Sequence, residues 1–212
     1  MRAKAVTGAA LVLVCAWAAG AAEPVKLPAP DTSGGMPLMR AFKHRQSDRA
    51  FDPRPLSDTL LGNLLWAACG VNRPESGKRT APTALNNQEI DVYAARADGL
   101  FRYAAASHSL EKVHGDDIRG ATGKQPFVKD APVNLVFVAE TGRMGRVGAD
   151  RRDTYAGMDA AFVSQNVYLF CASAGLETVV RASFDETELR KAMKLGEGSR
   201  VVLVQTVGYP RK

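Results

Sequence analysis

Residues 159–175, read as DAAFVSQNVYLFCASAG, limit what this 212-residue chain can fold into more than any other stretch. Asp159 suits a helix N-cap and Gly175 a helix C-terminus. Between them Phe162, Val163, Val167, Tyr168, Leu169, Phe170 and Cys171 surround a helical axis instead of keeping to one stripe. A helix that is apolar on all sides is buried, in a core or against another subunit. Its polar residues, Ser164, Gln165 and Asn166, share one turn and need partners there. The length is near that of a membrane span, but the polar turn argues against one. The rest of the chain, or another subunit, must therefore cover this segment.

Hydrophobic residues make up 46% of the sequence, enough apolar mass for the core of one domain. The formal charge is +6. Arg2 and Lys4 contribute two of those positives in a segment without acids, so the remainder carries +6 − 2 = +4. There is no dense Lys/Arg tract with interleaved aromatics, which removes the usual nucleic-acid-binding pattern. Arg2 and Lys4, the apolar run 9–18 and Ala19-Gly20-Ala21 together predict a cleaved signal over 1–22, hence export to the periplasm or an equivalent compartment. Val14 precedes Cys15 where a lipoprotein signal wants a small residue. The mature chain keeps Cys69 and Cys171, each in an apolar run. Buried free thiols and a disulfide both remain open for them.

Residues 23–35, with Pro24, Pro28, Pro30 and Ser33-Gly34-Gly35, read as an extended linker or arm ahead of one domain spanning 36–212. A short helix is expected over 36–44. In the stretch that follows, Arg45 and Arg49 flank Ser47 and would share a face if the segment were helical. Forked guanidinium donors with a hydroxyl between them can hold a phosphate. Ser57 caps a predicted helix over 57–69, with Leu60, Leu61, Leu64, Leu65 and Ala68 as its stripe. Residues 71–88 form a long polar loop, and such loops tend to bind something. Strands are predicted over 90–95 and 100–104, joined at Asp98-Gly99, and over 132–139, 177–182 and 201–207. Asp185 caps a helix over 186–194. The polar stretches 107–123 and 141–155 carry no predicted element; the second reads as a mobile surface loop. Its Gly142, Gly145 and Gly148 lack a dinucleotide-binding context. His108 and His114 have no ligand-spaced partners, so no metal site is expected. Helices alternating with short buried strands give an α+β or α/β class with one sheet covered by helices.

Five stretches together resemble the nitroreductase family of flavoproteins, in particular its thiazoline-oxidase-like branch. Residues 45–51, RQSDRAF, are similar to the family's Arg-x-Ser-x-Arg/Lys-x-Phe. Residues 64–70, LLWAACG, resemble the helix that follows. Residues 81–88, APTALNNQ, resemble its Pro-Ser-x-x-Asn-x-Gln loop with Thr83 in place of Ser. Gln165-Asn166-Val167-Tyr168-Leu169 and Ala174-Gly175-Leu176 resemble the central helix, and Val207-Gly208-Tyr209-Pro210 the closing strand. The order and spacing run from about Met36 to Pro210.

The resemblance implies an α+β fold, a central antiparallel or mixed sheet covered by helices, and a homodimer binding FMN at the subunit interface. By position, Arg45, Ser47 and Arg49 would take the phosphate and the nearby flavin edge, joined by Arg211, with Gln46 contributing backbone. Pro82, Thr83, Ala84 and Asn86 would come from the facing subunit's loop. Ala182 and Ser183 would offer backbone N–H groups near the flavin N5 and O4, and Gln125 is a further candidate. Here Ala182-Ser183 stands where an acidic-Gly pair is commoner, and the sequence closes soon after Gly208-Tyr209-Pro210, short of the tail many members wrap around their partner. The implied activity is two-electron transfer through FMN, to or from a small nitro, quinone-like or heterocyclic substrate, with no obligatory acid or base from the protein. Nicotinamides are scarce outside the cytoplasm, so export points to another electron donor. The alternative is an exported flavin- or anion-binding protein of the same fold without turnover.

Overall fold

The structure is a computed structural model that describes residues 23–211. The expected signal segment, 1–22, and Lys212 lie outside the described residues. The strands are β1 (Val25–Lys26), β2 (Phe51–Asp52), β3 (Val71–Arg73), β4 (Lys78–Arg79), β5 (Ile90–Arg96), β6 (Gly99–Ala104), β7 (Ser109–His114), β8 (Val133–Glu140), β9 (Glu177–Arg181) and β10 (Ser199–Pro210). The α-helices are α1 (Leu38–His44), α2 (Asp58–Cys69), α3 (Arg152–Ala174) and α4 (Glu186–Met193).

The main sheet runs β1-β7-β6-β5-β8-β10-β2, with β9 also paired to β10. Every described ladder is antiparallel, so the sheet is not mixed. β8, VNLVFVAE, is central because both its faces are apolar. Leu135, Phe137 and Ala139 pack on one side with α2 and α3 residues such as Leu64, Leu65, Val163 and Val167. Val136 and Val138 pack on the other with Leu189 and Met193 of α4. The class is α+β: helices cover both faces of an antiparallel sheet.

Two helix starts follow the sequence signals. The Ser57 side chain accepts from the Leu60 N–H at 3.2 Å, and the Asp185 carboxylate from the Glu188 N–H at 3.0 Å. α3 also ends as expected, at Gly175 in a left-handed conformation (φ 68°) whose N–H returns to the Cys171 carbonyl.

The start of α3 differs from expectation. It begins at Arg152, so Asp159 lies about two turns inside the helix and is 3% exposed. Residues 141–151 are not without regular structure. They form two short 3₁₀ turns, Thr141–Met144 and Ala149–Arg151, anchored by the fully buried Met144 and by Arg143, whose guanidinium bonds both Asp91 carboxylate oxygens at 2.7 and 2.8 Å. Their glycine and arginine content hid an apolar anchor. Residues 45–50 are not helical either, since α1 ends at His44 and the chain leaves Arg45 at ψ 119°. β7 went unseen because Glu111 and Lys112 face outward. Its Glu111 pairs across the ladder with Arg102.

Residues 23–35 are laid onto the domain. β1 adds to the edge of β7, Leu27 is 3% exposed, and the Asp31 N–H donates to Asn63 Oδ1 at 2.9 Å. His108 secures this arm, with one ring nitrogen 2.9 Å from the Pro28 carbonyl and the other 2.8 Å from the Tyr103 hydroxyl. Cys69 and Cys171 are both free and buried, and burial pushes the Cys69 thiol up to about 12.

Candidate functional site

Extended backbone places alternate side chains on one side. In residues 45–49, which are not helical, that rule puts Ser47 on the side of Arg45 and Arg49, where a helix would bring only the two arginines together. The segment lies along the open edge of β9, held by the Asp48 N–H donating to the Thr178 carbonyl at 3.0 Å. Tyr168 of α3 organises it. Its hydroxyl is 2.7 Å from Ser47 Oγ and accepts from the Val180 N–H at 3.0 Å. The Arg45 guanidinium sits 5.3 Å from the centre of the Tyr168 ring. Gln46 Nε2 donates to Asp48 at 3.0 Å, and burial with the neighbouring Asp48 carboxyl raises Glu177 above the usual carboxylate range.

Along an antiparallel edge, N–H groups two residues apart point the same way. Val180 gives its N–H to Tyr168. Ala182 follows the end of β9 directly, and neither its N–H nor the Ser183 N–H meets an acceptor among the described residues. The Ser183 carbonyl accepts from the Lys124 N–H at 3.2 Å, which brings Gln125 to the same corner. Gln125 Oε1 is buried there without a donor. Beside this corner a cleft of about 300 Å³ is lined by Arg49, Phe51, Pro126, Phe127, Asp130 and Arg211. Arg211 is fixed by its N–H to the Ala50 carbonyl at 3.3 Å and by Nε to the Phe51 carbonyl at 3.1 Å. Arg45, Arg49 and Arg211 form no ion pair among the described residues.

The second group of expected residues, Pro82, Thr83, Ala84 and Asn86, lies elsewhere. The Ala84 N–H donates to Asp159 Oδ2 at 2.9 Å, nine residues before Tyr168 on the same helix, or about 14 Å along its axis. One chain therefore does not bring the loop to the arginine segment. The loop is strained: Leu85, Asn86 and Gln88 have φ of 54°, 53° and 50°. Such backbone costs about 1–3 kcal/mol per residue and persists where surrounding contacts fix it. Here Thr83 Oγ1 accepts from the Gln88 N–H and Arg143 donates to the Gln88 carbonyl. Beneath the loop Glu89 is fully buried, with neither carboxylate oxygen matched to a donor on another residue. Burial first, and the facing Asp159 carboxyl second, push Glu89 up to about 7.

The sequence reading missed Tyr168 as a polar hub and Asp159 and Glu89 as loop supports. A tyrosine inside an apolar helix was the available signal, because a buried hydroxyl needs a partner. Tyr168→Phe is expected to leave the fold intact, cost about 0.5–1.5 kcal/mol of stability and free Ser47 and the Val180 N–H. Urea unfolding of the two proteins checks it; equal midpoints would contradict it. Among the described residues no group of three or more His, Cys, Asp or Glu side chains is placed to hold a metal.

Comparison with known proteins identifies the family and the fold. A sequence profile described as the nitroreductase family matches residues 42–209, the whole span from α1 to the closing strand. A protein of Methanocaldococcus jannaschii, named as a candidate nitroreductase, is 33% identical over 163 residues, covering 72% of this chain and 82% of its own. The crystal structure of a candidate nitroreductase from Ralstonia eutropha JMP134 superposes with a TM-score of 0.86 at 44% identity, covering 89% of this chain and 90% of that one. A more distant structure, a candidate nitroreductase from Desulfovibrio desulfuricans in complex with FMN, has a TM-score of 0.62 at 20% identity over 84% of this chain and 88% of its own, a likeness of fold. With β10 closing the sheet, the arginine segment on its edge and the profile spanning both, the chain belongs to the nitroreductase family.

Proposed function

We propose that this chain is an FMN-dependent oxidoreductase that works as a homodimer and passes two electrons between a donor and a small nitro, quinone-like or heterocyclic substrate. The observation that carries the reading is the set of arginines without ion pairs among the described residues, Arg45 over the Tyr168 ring that holds Ser47 and Arg49 with Arg211 in the adjoining cleft, beside the unclaimed Ala182 and Ser183 N–H groups. A phosphate wants fixed cations and donors, and a flavin edge wants a few directed donors between apolar walls. The buried Gln125 Oε1 without a donor suits a ligand that carries an N–H. The residues present fit FMN on these grounds.

The separation of the two groups supports the dimer. Loop residues Pro82, Thr83, Ala84 and Asn86 reach the arginine segment of a partner if α3 helices pack between subunits. Exposed Leu38, Met39 and Phe42 on α1, and Met158 and Phe162 on α3, supply an apolar face for that contact. In this mechanism Arg49 and Arg211 would anchor the phosphate, Tyr168 holds Ser47 and the β9 edge in place, and the Ala182 and Ser183 N–H groups would donate to the ring. These donors favour charge that develops at the ring edge without moving. FMN, when bound, supplies the hydride chemistry. Export by the 1–22 signal is part of the proposal, with an electron donor other than a free nicotinamide.

The test is an absorbance spectrum of the purified mature protein after incubation with FMN and desalting, followed by turnover with a dye donor. Retained flavin bands and dye-driven reduction support the enzyme. A protein that stays colourless ends the proposal, and bound flavin without turnover with any donor replaces it with a binding protein.

A further inference from the structure

We propose that Arg181 is an electrostatic tuning residue for the flavin, its buried charge favouring the two-electron-reduced ring over the oxidised one. The inference rests on the FMN reading above and adds a residue that lies outside every stretch carrying the family resemblance.

Arg181 is the last residue of β9 and is 7% exposed. Only neutral acceptors hold its guanidinium. Nη1 donates to the Thr122 carbonyl at 2.9 Å, and Nη2 to Asn134 Oδ1 at 3.1 Å and Thr206 Oγ1 at 2.6 Å. Nε is buried and meets no acceptor. The Phe127 ring lies against the group, its centre 5.6 Å from Cζ. Arg102, Arg119 and Arg143 each bond a carboxylate, whereas Arg181, like the less enclosed Arg79, forms no ion pair among the described residues. Burial alone pulls Arg181 down to about 10, so it is still a cation at neutral pH.

An uncompensated charge in a water-poor interior is costly, so its retention asks for a negative counterpart. The neighbourhood says where that counterpart would sit. Ala182 and Ser183, with their unclaimed N–H groups, follow Arg181 directly. Gln125, with its unmatched Oε1, packs beside the guanidinium: a side chain on Gly123 would collide with Arg181 and come within 3.1 Å of Gln125 Oε1. Phe127 separates Arg181 from the cleft of Arg49 and Arg211. The charge is thus fixed behind the ring-edge donors, across one aromatic side chain from the phosphate anchors. Two electrons and one proton added to oxidised FMN leave one more negative charge on the ring. A fixed cation in a low-dielectric surround favours that product and needs no reorganisation to do so.

The test uses the FMN-loaded protein, reduced by dithionite against a reference dye, with FMN affinity measured in parallel. Arg181→Gln keeps hydrogen-bonding capacity and removes the charge. It is expected to shift the equilibrium roughly tenfold to a hundredfold toward oxidised flavin, about 30–60 mV. Arg181→Lys keeps the charge and is expected to stay within about threefold of the wild type, under about 15 mV. Asn134→Asp puts a carboxylate where Nη2 now meets an amide oxygen. It neutralises the cation without removing it and is expected to shift the equilibrium in the same direction, which carries the test if Arg181→Gln does not fold. A folded, flavin-loaded Arg181→Gln or Asn134→Asp protein with an unchanged equilibrium overturns the inference. Failure of the wild type to bind FMN is seen before any potential is measured, and it overturns the flavin reading and this inference together.

Discussion

Replacing Arg49 by alanine is expected to weaken FMN binding roughly a hundredfold, and replacing Arg49 and Arg211 together to abolish retention through desalting. Each guanidinium lines the same cleft, whose wall also carries Asp130, and neither forms an ion pair among the described residues. A hydrogen bond to a charged group is worth about 1.5–3 kcal/mol, and each 1.4 kcal/mol is tenfold in affinity. The Arg49 side chain makes no hydrogen bond or ion pair among the described residues, so its variant should unfold within about 0.5 kcal/mol of the wild type. Arg211 ties β10 to residues 50 and 51 through two bonds and should cost somewhat more. Arg49→Lys retains a point charge but not the fork and should fall between wild type and alanine. Quenching of free FMN fluorescence on titration gives the three affinities. An Arg49→Ala protein that binds FMN as the wild type does would move the phosphate away from this cleft. The natural rival is Arg45, whose guanidinium is already engaged with the Tyr168 ring.

What the sequence disclosed depended on how local each signal was. Ser57 and Asp185 cap helices by bonds spanning three residues, and both were readable. β8 and β10 were readable because their apolar runs need no partner to be recognised. Asp159 was misread because one side-chain chemistry serves two purposes: an aspartate accepts an N–H equally well at a helix start or from a loop 75 residues away, as it does from Ala84. The Arg-x-Ser-x-Arg spacing was visible, but its geometry was not. Whether residues 45–49 coil or extend is decided by the β9 edge and Tyr168, both far along the chain. Arg181 carries no local signal at all. A single arginine in a β-branched strand looks like a surface residue until Thr122, Asn134 and Thr206 are seen to enclose it. The same limit applies to the loop residues Pro82, Thr83, Ala84 and Asn86, whose proposed partner is a second copy of the chain.

Glu89→Gln is expected to remove a pH dependence of stability that the wild type shows between about pH 4.5 and 7. Glu89 is fully buried beneath the strained loop, facing the Asp159 carboxyl that accepts the Ala84 N–H, with Arg143 as the nearest compensating cation. Burial and Asp159 raise it from 4.5 to about 7, and Arg143 offsets only part of this. Its folded value lies above its unfolded one, so between the two the native state keeps a proton that the unfolded chain has released. Stability therefore falls as pH rises through this window and levels off above it. Glutamine imitates the protonated acid, since its amide can donate to Asp159 as the shared proton does. The variant should match the wild type near pH 4.5 and exceed it at pH 8, by about 2–4 °C in melting temperature for each kcal/mol regained. The loop should respond with the fold. At pH 8 an ionised Glu89 repels Asp159 and loosens the support under Ala84, so wild-type FMN affinity should drop between pH 6 and 8 while that of Glu89→Gln holds. Melting curves and FMN titrations at pH 5, 6, 7 and 8 give both readings. Parallel pH profiles for the two proteins would mean that the buried proton is not on Glu89, and would place the stability of this loop on Arg143 and Asp91 instead.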